Sequence, residues 1–157
     1  MQLCKEKKDV MNKSDSTEQQ RMERIIFSEI EKKLSLKLEA NPKISIGSSH
    51  LSYIQPDFYS EESKIVGEIF VHIGKTKKAQ DNKISNDIMK MLLLEKKHNC
   101  NYRKILVFCD DAVIKKVTGF SWLSECIKEF NIEIMQIELS EEERQLIEET
   151  QKRQRMS

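Results

Sequence analysis

Residues 54–97 read IQPDFYSEESKIVGEIFVHIGKTKKAQDNKISNDIMKMLLLEKK, and the hydrophobic period changes within them. Lys64–Ile73 is rich in β-branched residues and alternates, so it reads as a strand. Ser52–Tyr59 alternates more loosely and reads as its antiparallel neighbour, with Ser60–Ser63 as the hairpin turn between them. From Lys77 to Lys97 the period becomes helical. Ile84, Ile88, Met91 and Leu92 make an apolar stripe, and Gln80, Lys83, Asp87 and Lys90 a polar one beside it. In the stronger strand a period of two puts Glu68, Phe70 and His72 on one face and Ile69, Val71 and Ile73 on the other, which is expected to be core.

Outward from this stretch the elements alternate. Toward the N-terminus, Lys43–Gly47 reads as a short strand, preceded by a helix from about Ser16 to Ala40. Met22, Ile25, Ile26, Ile30, Leu34 and Leu38 recur along that helix at helical spacing, Ser16 or Thr17 can cap it, and Asn41-Pro42 is expected to stop it. Residues 1–15 are polar and patternless and read as a frayed tail, leaving one domain over 16–157. Toward the C-terminus, Lys104–Cys109 is a strand covered on both faces. A helix capped by Asp110 or Asp111 breaks at Gly119 and resumes to Phe130. Ile132–Leu139 is a further strand, and Ser140 with Glu143 forms a capping box for a last helix. The order α-β-β-β-α-β-α-β-α predicts an α/β fold with a mixed central sheet and helices on both faces.

Composition narrows the function. The 157 residues include 27 Lys and Arg against 26 Asp and Glu, which excludes a polyanion binder acting through bulk charge. Four Gly leave no glycine-rich phosphate loop, so a flavodoxin-like or other phosphate-binding α/β protein ranks last. Cys4, Cys100, Cys109 and Cys126 form no CxxC pair and read as reduced thiols; His98, Cys100 and Cys109 lack an established zinc-ligand spacing. The longest apolar stretch, Ile88–Leu94, is interrupted by Lys90 and too short for a bilayer, and MQLCKEKKDVMNK has no signal-peptide pattern. A cytoplasmic protein without membrane association is expected.

Two carboxylates carry the chemistry. The hairpin would set Asp57 beside Glu68, and paired acids at one sheet surface repel unless a divalent cation sits between them. Mg²⁺ suits one or two carboxylates with water and phosphate oxygens. Charge is also segregated: residues 51–72 hold four acids and one base, residues 73–104 nine bases and three acids. An acidic metal site beside a basic helix fits a phosphate-cleaving surface, and an ordinary amphipathic helix has the same pattern.

Pro56-Asp57, then Glu68 within GEIFVH, then Gln80 on a lysine-bearing helix, in an α-β-β-β-α-β order, resembles the PD-(D/E)XK nuclease superfamily over about Ser16–Leu139. The resemblance implies a restriction-endonuclease-like core with a C-terminal α-β-α extension, and Mg²⁺-dependent endonuclease hydrolysis of DNA, with Mn²⁺ as substitute. It implies Asp57 and Glu68 as metal ligands, helped by the Ile69 carbonyl and by an acid of the first helix, Glu23 in preference to Glu29. The superfamily lysine should fall two residues after Glu68, where this chain has Phe70. Lys83 or His72 is favoured over Lys75 as its replacement, with Gln80, Lys75 and Lys90 as nucleic-acid contacts. The small chain suggests a homodimer or a recognition partner, with the first and last helices as candidate interfaces. The rival reading, favoured by Phe70, is a catalytically inactive nuclease-fold module binding nucleic acid or protein. Trp122, Phe120 and Phe130 read as core or interface rather than a base-stacking platform.

Overall fold

A computed structural model describes residues 2–156, with side chains from Thr17 onward. The first helix begins at Gln2 and not at about Ser16, so it takes in most of the segment expected to be a tail, and Ser16 lies within it and not at its cap. The helices are α1 (Gln2–Leu34), α2 (Lys78–His98), α3 (Asp111–Val117), α4 (Trp122–Glu129) and α5 (Glu141–Met156). The strands are β1 (Glu39–Ala40), β2 (Ile44–Ser45), β3 (Tyr53–Ile54), β4 (Phe58–Ser60), β5 (Ile65–Phe70), β6 (Arg103–Phe108) and β7 (Glu133–Gln136). Five strands form one mixed sheet in the order β1-β4-β5-β6-β7, antiparallel from β1 to β5 and parallel from β5 to β7. β2 and β3 make a separate antiparallel ribbon.

β5 is the hinge of this sheet. Its turn from β4 closes with a Lys64 N–H bond to the Glu61 carbonyl, and Lys64 takes a left-handed φ of 52°. The register sets Phe58 opposite Gly67. A Cβ at Gly67 would stand 1.9 Å from the Phe58 ring, so only glycine leaves room for that ring across the strand. All six β5 residues are buried. Ile26 and Ile30 of α1 cover one face of the sheet, with Phe58, Ile65, Ile69, Ile105 and Val107. Ile84, Ile88, Met91 and Leu94 of α2 cover the other, with Val66, Phe70, Leu106 and Phe108. At roughly 1.5–3 kcal/mol per large apolar side chain, these two layers are the main source of stability.

Several expectations are corrected. α1 does not run to Ala40: Ser35 turns left-handed at φ 53°, the Glu31 carboxylate accepts the Leu38 N–H at 2.8 Å, and Glu39–Ala40 pairs with β4 as an edge strand. Ser52–Tyr59 is two strands, because Gln55-Pro56-Asp57 breaks the ladder and sends the halves to different sheets. Lys43–Gly47 contributes only Ile44–Ser45, in the ribbon. β5 ends at Phe70, so His72 is not on the strand. Nor is the Glu68 face polar, since Phe70 stacks on Phe108 with ring centroids 5.4 Å apart. Phe120 is fully exposed and Trp122 largely so, which removes them from the core. α1 and α5 pack on each other through Met22 and Ile147, with Arg153 3.1 Å from Glu18, so part of each proposed interface is used within the chain. Among the described residues no helix is long and apolar enough to cross a membrane.

Candidate active site

The β4–β5 register makes the carboxylate pair. Phe58 opposes Gly67, so one step further along the ladder brings Asp57 opposite Glu68. Directly opposed side chains in an antiparallel pair have Cβ atoms roughly 4.5–5.5 Å apart. Asp57 lies just before β4, where Pro56 has ended the ladder, and its Oδ2 accepts the Ile69 N–H at 2.7 Å. The side chain thus takes up a strand N–H, which fixes its carboxylate.

Glu68 is 7% exposed, and its carboxyl interacts with that of Asp57 across the register. Its pKa is pushed up to about 9, first by burial, then by Asp57, then by Asp87; Lys83 opposes the rise. Asp87, on α2, is 4% exposed, and its Oδ2 has no hydrogen-bond partner. Burial raises its pKa against the pull of Lys83 and Lys90, and Lys90 Nζ stands 3.6 Å from Oδ1. Lys83 lies one helical turn before Asp87, and its ammonium stands 4.8 Å from the Phe70 ring centroid. A cation therefore occupies the space above the residue two positions after Glu68, supplied by the helix instead of the strand.

Asp57 and Lys83 open on a cleft of about 420 Å³ between the sheet edge and α1, lined also by Ile69 and, from α1, by Glu23 and Arg24, while Glu68 and Asp87 are buried behind it. Glu29 is elsewhere, paired with Lys32 at 3.0 Å. Glu23 shares the cleft, but among the described residues no three His, Cys, Asp or Glu side chains converge as a ready ligand cluster. The pair is Asp57 and Glu68, with Glu23 on the opposite wall.

The remaining candidates separate from this cleft. His72 bonds the Lys75 carbonyl at 3.1 Å and lines a second cleft with Lys75 and Gln80. Gln80 accepts the Lys77 N–H at 2.6 Å, so it caps α2. Of the two favoured replacements for the missing lysine, Lys83 is with the carboxylates and His72 is not. His98 bonds Tyr102 Oη and the Ser45 carbonyl, away from buried Cys109 on the opposite sheet face, so the weakly spaced His98, Cys100 and Cys109 do not converge. The burial of Asp87 has one signal in the sequence, its i,i+4 spacing from Lys83. No family model matches the chain, and comparisons with curated proteins and with solved structures return no match.

Proposed function

We propose that the chain is a metal-dependent nuclease with a restriction-endonuclease-like core, hydrolysing phosphodiester bonds in DNA. The observation that carries this reading is half-buried Asp57 opposite buried Glu68, with Asp57 and Lys83 lining one cleft. Two carboxyl groups so placed keep a proton between them instead of both ionising, and a bound divalent cation would displace that proton and hold both as carboxylates. The donor set fits Mg²⁺ or Mn²⁺: Asp57 and Glu68 offer hard oxygens, the Ile69 carbonyl is a further candidate, and Glu23 borders the same space. When bound, such an ion lowers the pKa of water and neutralises charge on the phosphoryl group.

The chain's own residues have separable roles. The Ile69 N–H holds Asp57 in one orientation. Lys83 brings a positive charge to the cleft that receives the phosphate, where it orients a nucleophilic water and offsets developing negative charge. Phe70 cannot do either; its ring supports the Lys83 ammonium from below. Asp87 faces Lys83 from the same helix. Target selection falls to a homodimer or a recognition partner, because the chain is small for both tasks.

The test is direct. Asp57→Ala and Glu68→Ala should each abolish Mg²⁺-dependent cleavage of plasmid and oligonucleotide DNA while both variants remain folded. Titration calorimetry with Mn²⁺ should register binding to the wild type and loss in either variant. A wild type inert on every DNA and RNA form, with no heat of metal binding, overturns the enzymatic reading. Retained nucleic-acid binding under those conditions would instead support the inactive nuclease-fold module, the reading favoured by Phe70 in the lysine position and its stack on Phe108.

A further inference from the structure

The second cleft, about 440 Å³, opens beyond the C-terminal end of β5. Its floor is the connection from β5 to α2, and that connection is tied on two sides. Gln151 of α5 accepts the Ile73 N–H at 2.9 Å and donates to the Ile73 carbonyl at 3.0 Å. The Gly74 N–H donates to Asp110 Oδ2 at 2.9 Å, and Arg144 holds the other Asp110 oxygen at 2.9 Å. Polar groups bound this way present a fixed surface.

The rim of this surface is cationic. Lys75 and Lys77 come from the connection, Lys152 and Arg155 from the last turns of α5, with Glu148 the one carboxylate on the lining. All four cations are exposed, and none of the three lysines has an ion-pair partner among the described residues. Two elements far apart in sequence thus bring unneutralised positive charge to one groove. His72 on its floor is three residues from Ile69 on the lining of the first cleft, so the clefts are separated by at most ~11 Å of chain. That is about three steps of a nucleic-acid strand at ~3.4 Å each.

We propose that this cleft seats the phosphodiester backbone of the DNA strand whose scissile bond enters the Asp57–Glu68 cleft, α5 acting as the clamp; the assignment of the scissile bond rests on the nuclease reading, the binding does not. Continuous cationic charge with a single acid selects a polyanion, and the spacing selects a chain with several phosphates over a free phosphate ion.

The experiment is fluorescence anisotropy with a labelled DNA duplex of about 20 base pairs, over a salt series, in EDTA so that neither metal nor cleavage contributes. The Lys75→Glu/Lys152→Glu variant should bind at least ~10-fold more weakly at low salt and lower the slope of log K against log salt by about two. Lys96→Glu/Lys97→Glu makes the same charge change almost ~30 Å away along α2 and should shift affinity less than about threefold. Thermal melts of all variants check folding. The proposal is overturned by a wild type that does not bind the duplex, by an unaltered slope in the first variant, or by equal weakening in the second. Tighter binding of an RNA duplex through the same lysines overturns the DNA assignment. Lysine-dependent binding without any Mg²⁺- or Mn²⁺-dependent cleavage leaves this inference standing and removes the nuclease reading; cleavage that needs Glu68 but ignores Lys75 and Lys152 does the reverse.

Discussion

Glu68→Gln should stabilise the metal-free protein, and by more as the pH rises. Folded Glu68 titrates near 9, first because it is buried and then because Asp57 faces it, whereas its ordinary value is 4.5. Between those values the folded chain holds a proton that the unfolded chain has released. Stability therefore falls as pH rises from the ordinary value, and the loss is complete above the folded one. At ~1.36 kcal/mol per pH unit the ceiling is ~6 kcal/mol. Local relaxation and an effective dielectric nearer ~20 than ~4 reduce this, and about 2 kcal/mol is expected near pH 8. Glutamine matches the protonated acid in shape and can donate to Asp57, so near pH 5 the two proteins should unfold together. For a chain of this size ~2 kcal/mol corresponds to ~4–8 °C in Tm. Circular-dichroism melts in EDTA across that pH range read the gap. A gap independent of pH, one that closes as pH rises, or a variant that melts below wild type near pH 8 would show that folded Glu68 does not keep its proton. Excess Mg²⁺ should then narrow the gap, since a cation that binds only the native wild-type site stabilises it by mass action.

Three further outcomes follow from the same geometry. Lys83→Met should lower cleavage at least ~10²-fold while calorimetric metal binding persists; an unchanged rate would return the role of the missing lysine to another residue. Gly67→Ala should lower the denaturant midpoint by the equivalent of ~3 kcal/mol or more, because the new Cβ meets a fully buried Phe58, and Phe58→Leu in the same chain should recover part of it. Burial alone would raise the Asp110 pKa, but Arg144 and the Gly74 N–H outweigh it and hold the carboxyl below its ordinary range. Its contribution is thus present above the ordinary value of 3.8 and is lost as pH falls through the lower folded one. Asp110→Asn should cost ~1–3 kcal/mol near neutrality and progressively less in acid; urea titrations that keep a constant gap would contradict this.

Long periodic segments were legible because their period is imposed by burial on one side. The α2 stripe, the apolar run from Ile105 that makes most of β6, the Ser140–Glu143 capping box and the hairpin at 60–63 all lie where spacing puts them. The misread boundaries have local causes that spacing does not encode. Leu38 continues the α1 stripe in register, yet the chain has already left the helix at Ser35, and the Glu31 side chain takes the freed Leu38 N–H. In β5 the Ile69 face is core as expected, and what spacing did not show is that the Glu68 face is covered as well. Alternation distinguishes core from solvent only when one face is wet, and β5 lies between β4 and β6 with helices on both sides. Asp87 misleads in the same way: a polar stripe on an amphipathic helix ordinarily faces water, and here α2 turns one of its members inward.

The carboxylate pair was legible because register is arithmetic once a turn is located, and the structure adds why the pair cannot relax. Opposed like charges could separate if β4 slipped by one residue, which would turn Asp57 to the other face of the sheet. The Phe58 ring lies across Gly67 in a space that any other residue at 67 would fill, so slippage would drive that ring into a side chain at 66 or 68. Ile69 adds a second lock by binding Asp57 directly. Repulsion between Asp57 and an ionised Glu68 is thus opposed by apolar packing one residue away. A site held in this way gains its stability on ligation from charge neutralisation and not from rearrangement, which is why the Glu68→Gln gap, and its narrowing by Mg²⁺, measures the site's electrostatics in isolation.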